Sequence, residues 1–277
     1  TGSGSVVLDC NNVLKDSGVV MGHAKNVTIQ GIQFMNEYGS HFIELNSSYN
    51  VLVENCTFKN FKIYEDKSHK EAINVDGTDE NTGGFPFSWS SHDKTVCEKV
   101  YIRNNTFQNV GTAVGSHTYI AKDKEQQYHT GVEITGNTVD STYNSAIRTL
   151  NWKDCVIRGN TFKNIGSIDD GRTNSNGEKI LYPAIYVRGT VNPEITDNCY
   201  DTLNYYPIQV VLTCSAKSAG SIADGYPDTV CDISAEKYAL MQQESYSNID
   251  EKYCYILIQD FESSELGDTE MLQLKAK

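Results

Sequence analysis

The chain has 277 residues, 39% of them hydrophobic, so it is long enough and apolar enough to fold by burial alone. Acidic residues outnumber basic ones 36 to 23, giving a net charge of −13, and the Lys and Arg form no dense block, which argues against nucleic acid as a partner. No apolar run approaches the roughly 20 residues of a membrane span, and the eight cysteines show neither a CxxC pair nor zinc-finger spacing with His, so no metal centre is expected. The opening Thr1-Gly2-Ser3-Gly4-Ser5 carries no initiator Met and no charged and apolar leader, which predicts that the chain is part of a larger polypeptide or complex.

From residue 27 onward one phrase recurs: an apolar-x-apolar strand, two turn residues often containing Gly or Asn, then Thr and an aromatic. It is seen in Val27-Thr28-Ile29-Gln30-Gly31-Ile32-Gln33-Phe34 and in Val51-Leu52-Val53-Glu54-Asn55-Cys56-Thr57-Phe58. Further copies start at Val100, Val132, Cys155 and, more weakly, Pro193. Such repeats predict a solenoid of stacked strand-turn-strand coils, a parallel β-helix, over residues 1–213. Period-two alternation aligns Ile29, Val53, Ile102, Ile134, Ile157 and Ile195 as one inward column. A second column holds Phe34, Phe58, Phe107, Val139, Phe162 and Tyr200. A third holds Asn105, Asn137, Asn160 and Asn198, whose amides can hydrogen-bond from coil to coil and whose residue type tolerates a left-handed turn.

After each aromatic comes a second strand, beginning at Phe42, Ala72, Ala113, Ala146 and Ala184. Its second and fourth positions are mostly apolar and face in, so its third and fifth face out. That places Glu44, Asn74, Arg148 and Tyr186 in one outward strip, beside Asn46, Asp76, His117 and Arg188 in another. The copies are spaced 24, 49, 32, 23 and 38 residues apart, whereas a bare coil needs about 20 to 25. The excess leaves as loops at 61–99, 119–129 and 167–181, and long insertions on one side of a solenoid usually wall a binding face. The longest carries Phe85, Phe87 and Trp89; aromatic faces beside planar hydrogen-bonding groups suit a sugar.

Cleaving a glycosidic bond takes one carboxyl as acid and another as base or nucleophile. Glu44 and Asp76 sit on successive coils one same-face step apart, roughly 8 Å between Cα atoms on ordinary sheet spacings, and are the leading pair. Asp79, Asp93 and Glu71 flank the same insertion as reserve candidates that also read as plain loop charges. Asn74, Glu71, His117, Arg148, Tyr186, Arg188 and Trp89 are the candidate substrate contacts, and no cofactor is expected unless the protein is a lyase, which could use calcium. A calcium-dependent lyase would need more clustered acids than the strip supplies.

The stacked Asn-Thr-Phe phrases resemble the right-handed β-helix repeats of the pectate lyase-like superfamily over about residues 5 to 213. That group includes lyases, hydrolases and non-catalytic adhesins, so the resemblance implies an all-β right-handed solenoid without naming a reaction. Three phrases, His41-Phe42-Ile43-Glu44-Leu45-Asn46, Lys70-Glu71-Ala72-Ile73-Asn74-Val75-Asp76 and Val114-Gly115-Ser116-His117, look like those of secreted bacterial β-helix proteins. Among these are lacto-N-biosidase-type glycoside hydrolases, which use paired aspartates. The resemblance implies Asp76 as one of the pair, while Gly83 stands where the second acid belongs. The expectation is a secreted or cell-surface protein acting on an oligosaccharide or polysaccharide as a glycoside hydrolase, with a polysaccharide lyase or a non-catalytic glycan-binding adhesin as alternatives.

After Leu212 the repeat is lost. Residues 214–277 are expected to cap the open end of the stack, through an amphipathic helix over 234–241 and a strand over 253–258. Cys199, Cys214, Cys231 and Cys254 could form one or two disulfides there, whereas Cys10, Cys56 and Cys155 fall on or near repeat positions as small core residues.

Overall fold

The computed structural model describes residues 5–15, 17–65, 70–78, 92–117, 120–122, 125–213, 249–250, 254–259 and 271–272. Their backbone winds into a parallel β-helix with three sheets, of seven, nine and seven strands. One coil runs through Lys25–Gln30, Ile32–Met35 and Ile43–Asn46, and the next through Tyr49–Glu54, Thr57–Lys59 and Glu71–Asp76. The coil therefore has three strands where the sequence pattern suggested two. The Thr-aromatic pair does not end the first strand; it opens a separate sheet.

The corner that separates those strands is a single residue in the left-handed region: Gly31, Asn55, Asn104, Gly136, Gly159 and Asp197, with φ between 53° and 68°. Gly pays no steric penalty there and Asn or Asp little. The left-handed residue thus precedes the buried Asn column, and the column residues have a different task. Asn105, Asn137 and Asn160 each accept, at Oδ1, the backbone N–H of the equivalent residue one coil back at 2.9 Å. Asn198 does the same for Asn160 at 3.0 Å. Their Nδ2 groups donate to the carbonyls of Val53, Ile102, Ile134 and Ile157 at 2.8 to 2.9 Å. Each amide is satisfied on both atoms, which is what allows a polar column inside an apolar solenoid.

The expected apolar columns form in register. Ile29, Val53, Ile102, Ile134, Ile157 and Ile195 pair in sequence across one sheet. Phe34, Phe58, Phe107, Val139, Phe162 and Tyr200 do so across another. Phe34, Phe58 and Phe107 stack nearly parallel with ring centres 4.9 and 4.8 Å apart. Each fully buried ring contributes about 1.5–3 kcal/mol. Cys56 and Cys155 are buried in this core, as expected of small apolar residues.

The nine-stranded sheet carries the outward strips and is called the site sheet below. It takes in Val19–Gly22, Ile43–Asn46, Glu71–Asp76, Thr112–Gly115, Ile147–Leu150, Ile185–Arg188 and Ile208–Thr213. The insertions leave the coil at the two margins of this sheet, next to the starts or the ends of its strands. The segments 60–70 and 164–184 precede one of its strands, and 77–97 and 116–128 follow one. The 119–129 insertion forms a short antiparallel hairpin, Ile120–Lys122 against Glu125–Gln127. Cys254–Gln259 adds a parallel strand to Ile208–Thr213, and Met271–Leu272 pairs antiparallel beyond it. The expected helix over 234–241 lies outside the described residues. Cys199 is exposed and its thiol is free, so it forms no disulfide.

Candidate functional site

Register across the site sheet sets Glu44 opposite Asn74, Asn74 opposite Gly115, Gly115 opposite Arg148, and Arg148 opposite Tyr186 and then Gln209. Asn46 lies opposite Asp76, and Leu150 opposite Arg188. Both strips thus form as the alternation predicted, with Glu44 and Asp76 diagonal on adjacent strands. Exposure divides them. Asn46 and Asn74 are 0% exposed and Asp76 4%, while Glu44, Arg148, Tyr186 and Arg188 keep partial access to solvent.

Glu71 reads as a loop charge in sequence but is the first residue of Glu71–Asp76 and fully buried. Its Oε2 is 3.1 Å from His117 Nδ1, and its Oε1 is 3.5 Å from Arg148 Nη1. His41 Nδ1 donates to the backbone carbonyl of Glu71 at 2.7 Å. The other side of His117 faces Asp76, with Nε2 3.8 Å from Oδ2. Gly115 makes this possible. A Cβ there would sit 2.8 Å from the carbonyl oxygen of Arg148 and 3.2 Å from Glu71 Cγ, so the missing side chain is the slot the carboxylate arm occupies.

Electrostatics follow from this packing. Burial alone would raise the Glu71 pKa, but His117, through its charge and hydrogen bond, together with Arg148 and His41, holds the carboxyl well below the usual carboxylate range. Burial would lower His117; Glu71 and Asp76 outweigh it and raise the imidazole above its ordinary value, against a small opposing push from Lys70. His41 is pushed down, first by burial and then by repulsion from His117, despite the attraction of Glu71 and Glu44. The two neighbouring imidazoles are thus shifted in opposite directions, His41 down and His117 up.

His41, Glu71 and His117 bring one potential ligand atom each within 4.8 Å of one another. They do not fit a metal ion well. The two imidazoles are stacked, 10° from parallel with centres 5.6 Å apart, so their in-plane lone pairs do not converge. Arg148 already stands as a cation against the carboxylate.

Of the remaining candidates, Asp93 is committed to its own turn. Its Oδ1 accepts from Thr78 Oγ1 at 2.5 Å, Thr95 Oγ1 at 2.7 Å and Thr95 N at 3.1 Å. Burial opposes ionisation there, but these hydrogen bonds and nearby His23 lower its pKa. Asp79 and Trp89 lie outside the described residues, as do Gly83, Phe85 and Phe87. His117, Arg148, Tyr186 and Arg188 line a single groove of about 460 Å³. Its far wall, Leu181, Tyr182 and Pro183, is the end of the predicted 167–181 insertion and the residues that follow it; Gln209 is in the lining too. The sequence reading missed Gln209 and Tyr182, and missed His41 as a site residue. His41 could have been found. It stands one residue before the strand frame that starts at Phe42, in the same place as Glu71 before Ala72.

A family model described as "Right handed beta helix region" matches residues 1–162. The plasmin and fibronectin-binding protein A of Streptococcus pneumoniae (strain ATCC BAA-255 / R6) is 29% identical over 163 residues, covering 54% of this chain and 22% of that protein. Two solved structures of the Streptococcus pneumoniae surface adhesin PfbA are 20% and 21% identical. Each covers 70% of this chain, with 59% and 49% of their own lengths matched and TM-scores of 0.49 and 0.47. The chain therefore spans about a fifth of the curated relative's length and about half of the solved chains. The family match covers more than half of the chain, and the three stacked parallel sheets agree with it: this chain belongs to the right-handed β-helix family.

Proposed function

We propose that this β-helix is an adhesive module displayed at a bacterial cell surface, which holds a glycan chain along its site sheet without cleaving it. The observation that carries this reading is the state of the carboxylates. A general acid must keep a proton near neutral pH. Glu71 is fully buried and held ionised by His117 and Arg148, Asp93 is tied into a turn, and Asp76 is only 4% exposed and accepts the N–H of Gly77 at 2.8 Å. What the groove offers a ligand is guanidinium, imidazole, phenol and amide, which are groups that hold rather than groups that cut. The curated relative is named for binding as well.

One observation favours a second reading, the glycoside hydrolase related to the lacto-N-biosidase type. Glu44 keeps partial exposure on the same face as Asp76, and His117 could support Asp76 across 3.8 Å. A panel of host and plant glycans, scored both for binding and for released sugar, separates the two. Binding that falls at least tenfold in Tyr186→Ala, with no sugar released, is the expected result. Release that disappears in Asp76→Asn would replace the adhesive reading with the hydrolytic one.

A further inference from the structure

We propose that His41 and His117 form a proton-operated switch at the groove: a second proton on the stacked pair drives His117 off Glu71 and changes the part of the groove that His117 lines. The device does not depend on what the groove binds.

Three adjacent strands of the site sheet build the pair. Ile43–Asn46, Glu71–Asp76 and Thr112–Gly115 are neighbours in that order. His41 stands two residues ahead of the first, Glu71 opens the second, and His117 follows the third by two. The imidazoles lie 10° from parallel with centres 5.6 Å apart, and one carboxylate serves both. Glu71 Oε2 is 3.1 Å from His117 Nδ1 and 3.8 Å from His41 Nδ1, while Glu71 Oε1 faces Arg148 at 3.5 Å. A second imidazolium would therefore set three cations against one buried carboxylate. Asp76, 3.8 Å from His117 Nε2, and Glu44 add negative charge around the pair, and Lys70 adds positive. Among the described residues these are the charged groups that face it.

The two rings differ in their freedom to respond. The Glu71 carbonyl can only accept, so His41 Nδ1, 2.7 Å from it, holds a hydrogen and an incoming proton goes to Nε2. His41 is buried and pinned by that bond. His117 is 33% exposed and lines the groove, so it is the ring that can move out into solvent. It also stands three residues ahead of the hairpin strand Ile120–Lys122, and its displacement carries the first residues of that insertion with it.

Protonation of the pair is ordered. Burial opposes charge on both rings. At His117 it is outweighed by Glu71 and Asp76; at His41 it prevails over Glu71 and Glu44, with repulsion from His117 on its side. As pH falls, His117 thus takes its proton first and His41 second. An arrangement with His117 swung into solvent takes the repelling cation away from His41, binds the second proton more readily, and is the one that acid populates. The transition belongs below about pH 6.5, the ordinary imidazole value.

The test follows the six histidines of the whole chain by NMR from about pH 7.5 to about pH 4.5. Single His→Gln variants assign each resonance, and an uncharged gadolinium chelate reports the solvent contact of each ring. Across the pH at which His41 titrates, the relaxation enhancement at His117 should rise at least twofold; in His41→Gln it should stay flat. His117→Gln should move the His41 midpoint up by about half a pH unit or more, because the repelling neighbour is gone. Melting temperatures near neutral pH check that each variant is folded, and should His41→Gln fail that check, the shift in His117→Gln still decides. A flat response at His117 through the His41 midpoint, an equal rise in His41→Gln, or an unmoved His41 midpoint in His117→Gln would overturn the switch. So would unfolding of the whole chain, seen as loss of its far-ultraviolet signal, before His41 titrates.

Discussion

The protein buries two columns of polar side chains, and they are finished differently. In the ladder of Asn105, Asn137, Asn160 and Asn198, every amide oxygen and nitrogen has a partner. On the site sheet Asn74 is equally buried, yet neither of its amide atoms has a partner among the described residues; Asn46 Oδ1 and Glu71 Oε1 also lack hydrogen bonds there. Unpaired buried polar atoms cost stability, so a fold keeps them only where something other than stability is served. Satisfaction of hydrogen bonds, more than burial or residue type, separates the Asn ladder from these positions of the site sheet.

Substitutions at the two columns should therefore differ in size. Asn137→Ala strands the amide of Asn105 and the carbonyl of Ile102, and chemical denaturation should show a loss of about 4 kcal/mol. Glu71→Ala leaves Arg148 and His117 without their counter-charge. Because both reach solvent, the expected loss is smaller, about 3 kcal/mol. Acid tests a third polar group, His129, whose Nδ1 accepts the Cys97 N–H at 3.0 Å and whose pKa burial pushes down to about 3. A His with a depressed folded pKa leaves the unfolded chain binding more protons. Stability is then intact above about pH 6.5 and falls below it, by about 2 kcal/mol at about pH 5. His41 adds to that slope, and His129→Gln should flatten it. The smallest effect is the most telling one. Asn74→Leu removes two orphaned atoms and should change stability by less than about 1 kcal/mol in either direction. A loss as large as that of Asn137→Ala would erase the distinction between the columns.

Much of this fold was legible in the sequence because a solenoid writes its core as repetition. The Ile and Phe columns and the Asn ladder align by counting residues, and each aligned set is a set of hydrogen-bonded neighbours. The third strand per coil was hidden because its boundary is one residue long. Gly31, Asn55 and Asn104 turn the chain without interrupting the apolar pattern. On the site face, alternation gave the strips but not the depth. Nothing in the repeat says that Asn74 is covered or that Glu71 threads the slot left by Gly115. That relation joins residues 44 positions apart through the absence of a side chain, which a pattern of present residues does not record.

Stacking also sets how the molecule responds to force. Coil-to-coil bonds, the Asn ladder among them, run along the stack, so a pull on its two ends loads them in series and frees one coil at a time. The 24 residues from Val27 to Val51 would pay out roughly 80 Å of extended chain. The 49 residues from Val51 to Val100, with their long insertion, would release about twice that. A stack built this way lengthens in unequal steps under load, dissipating the pull coil by coil.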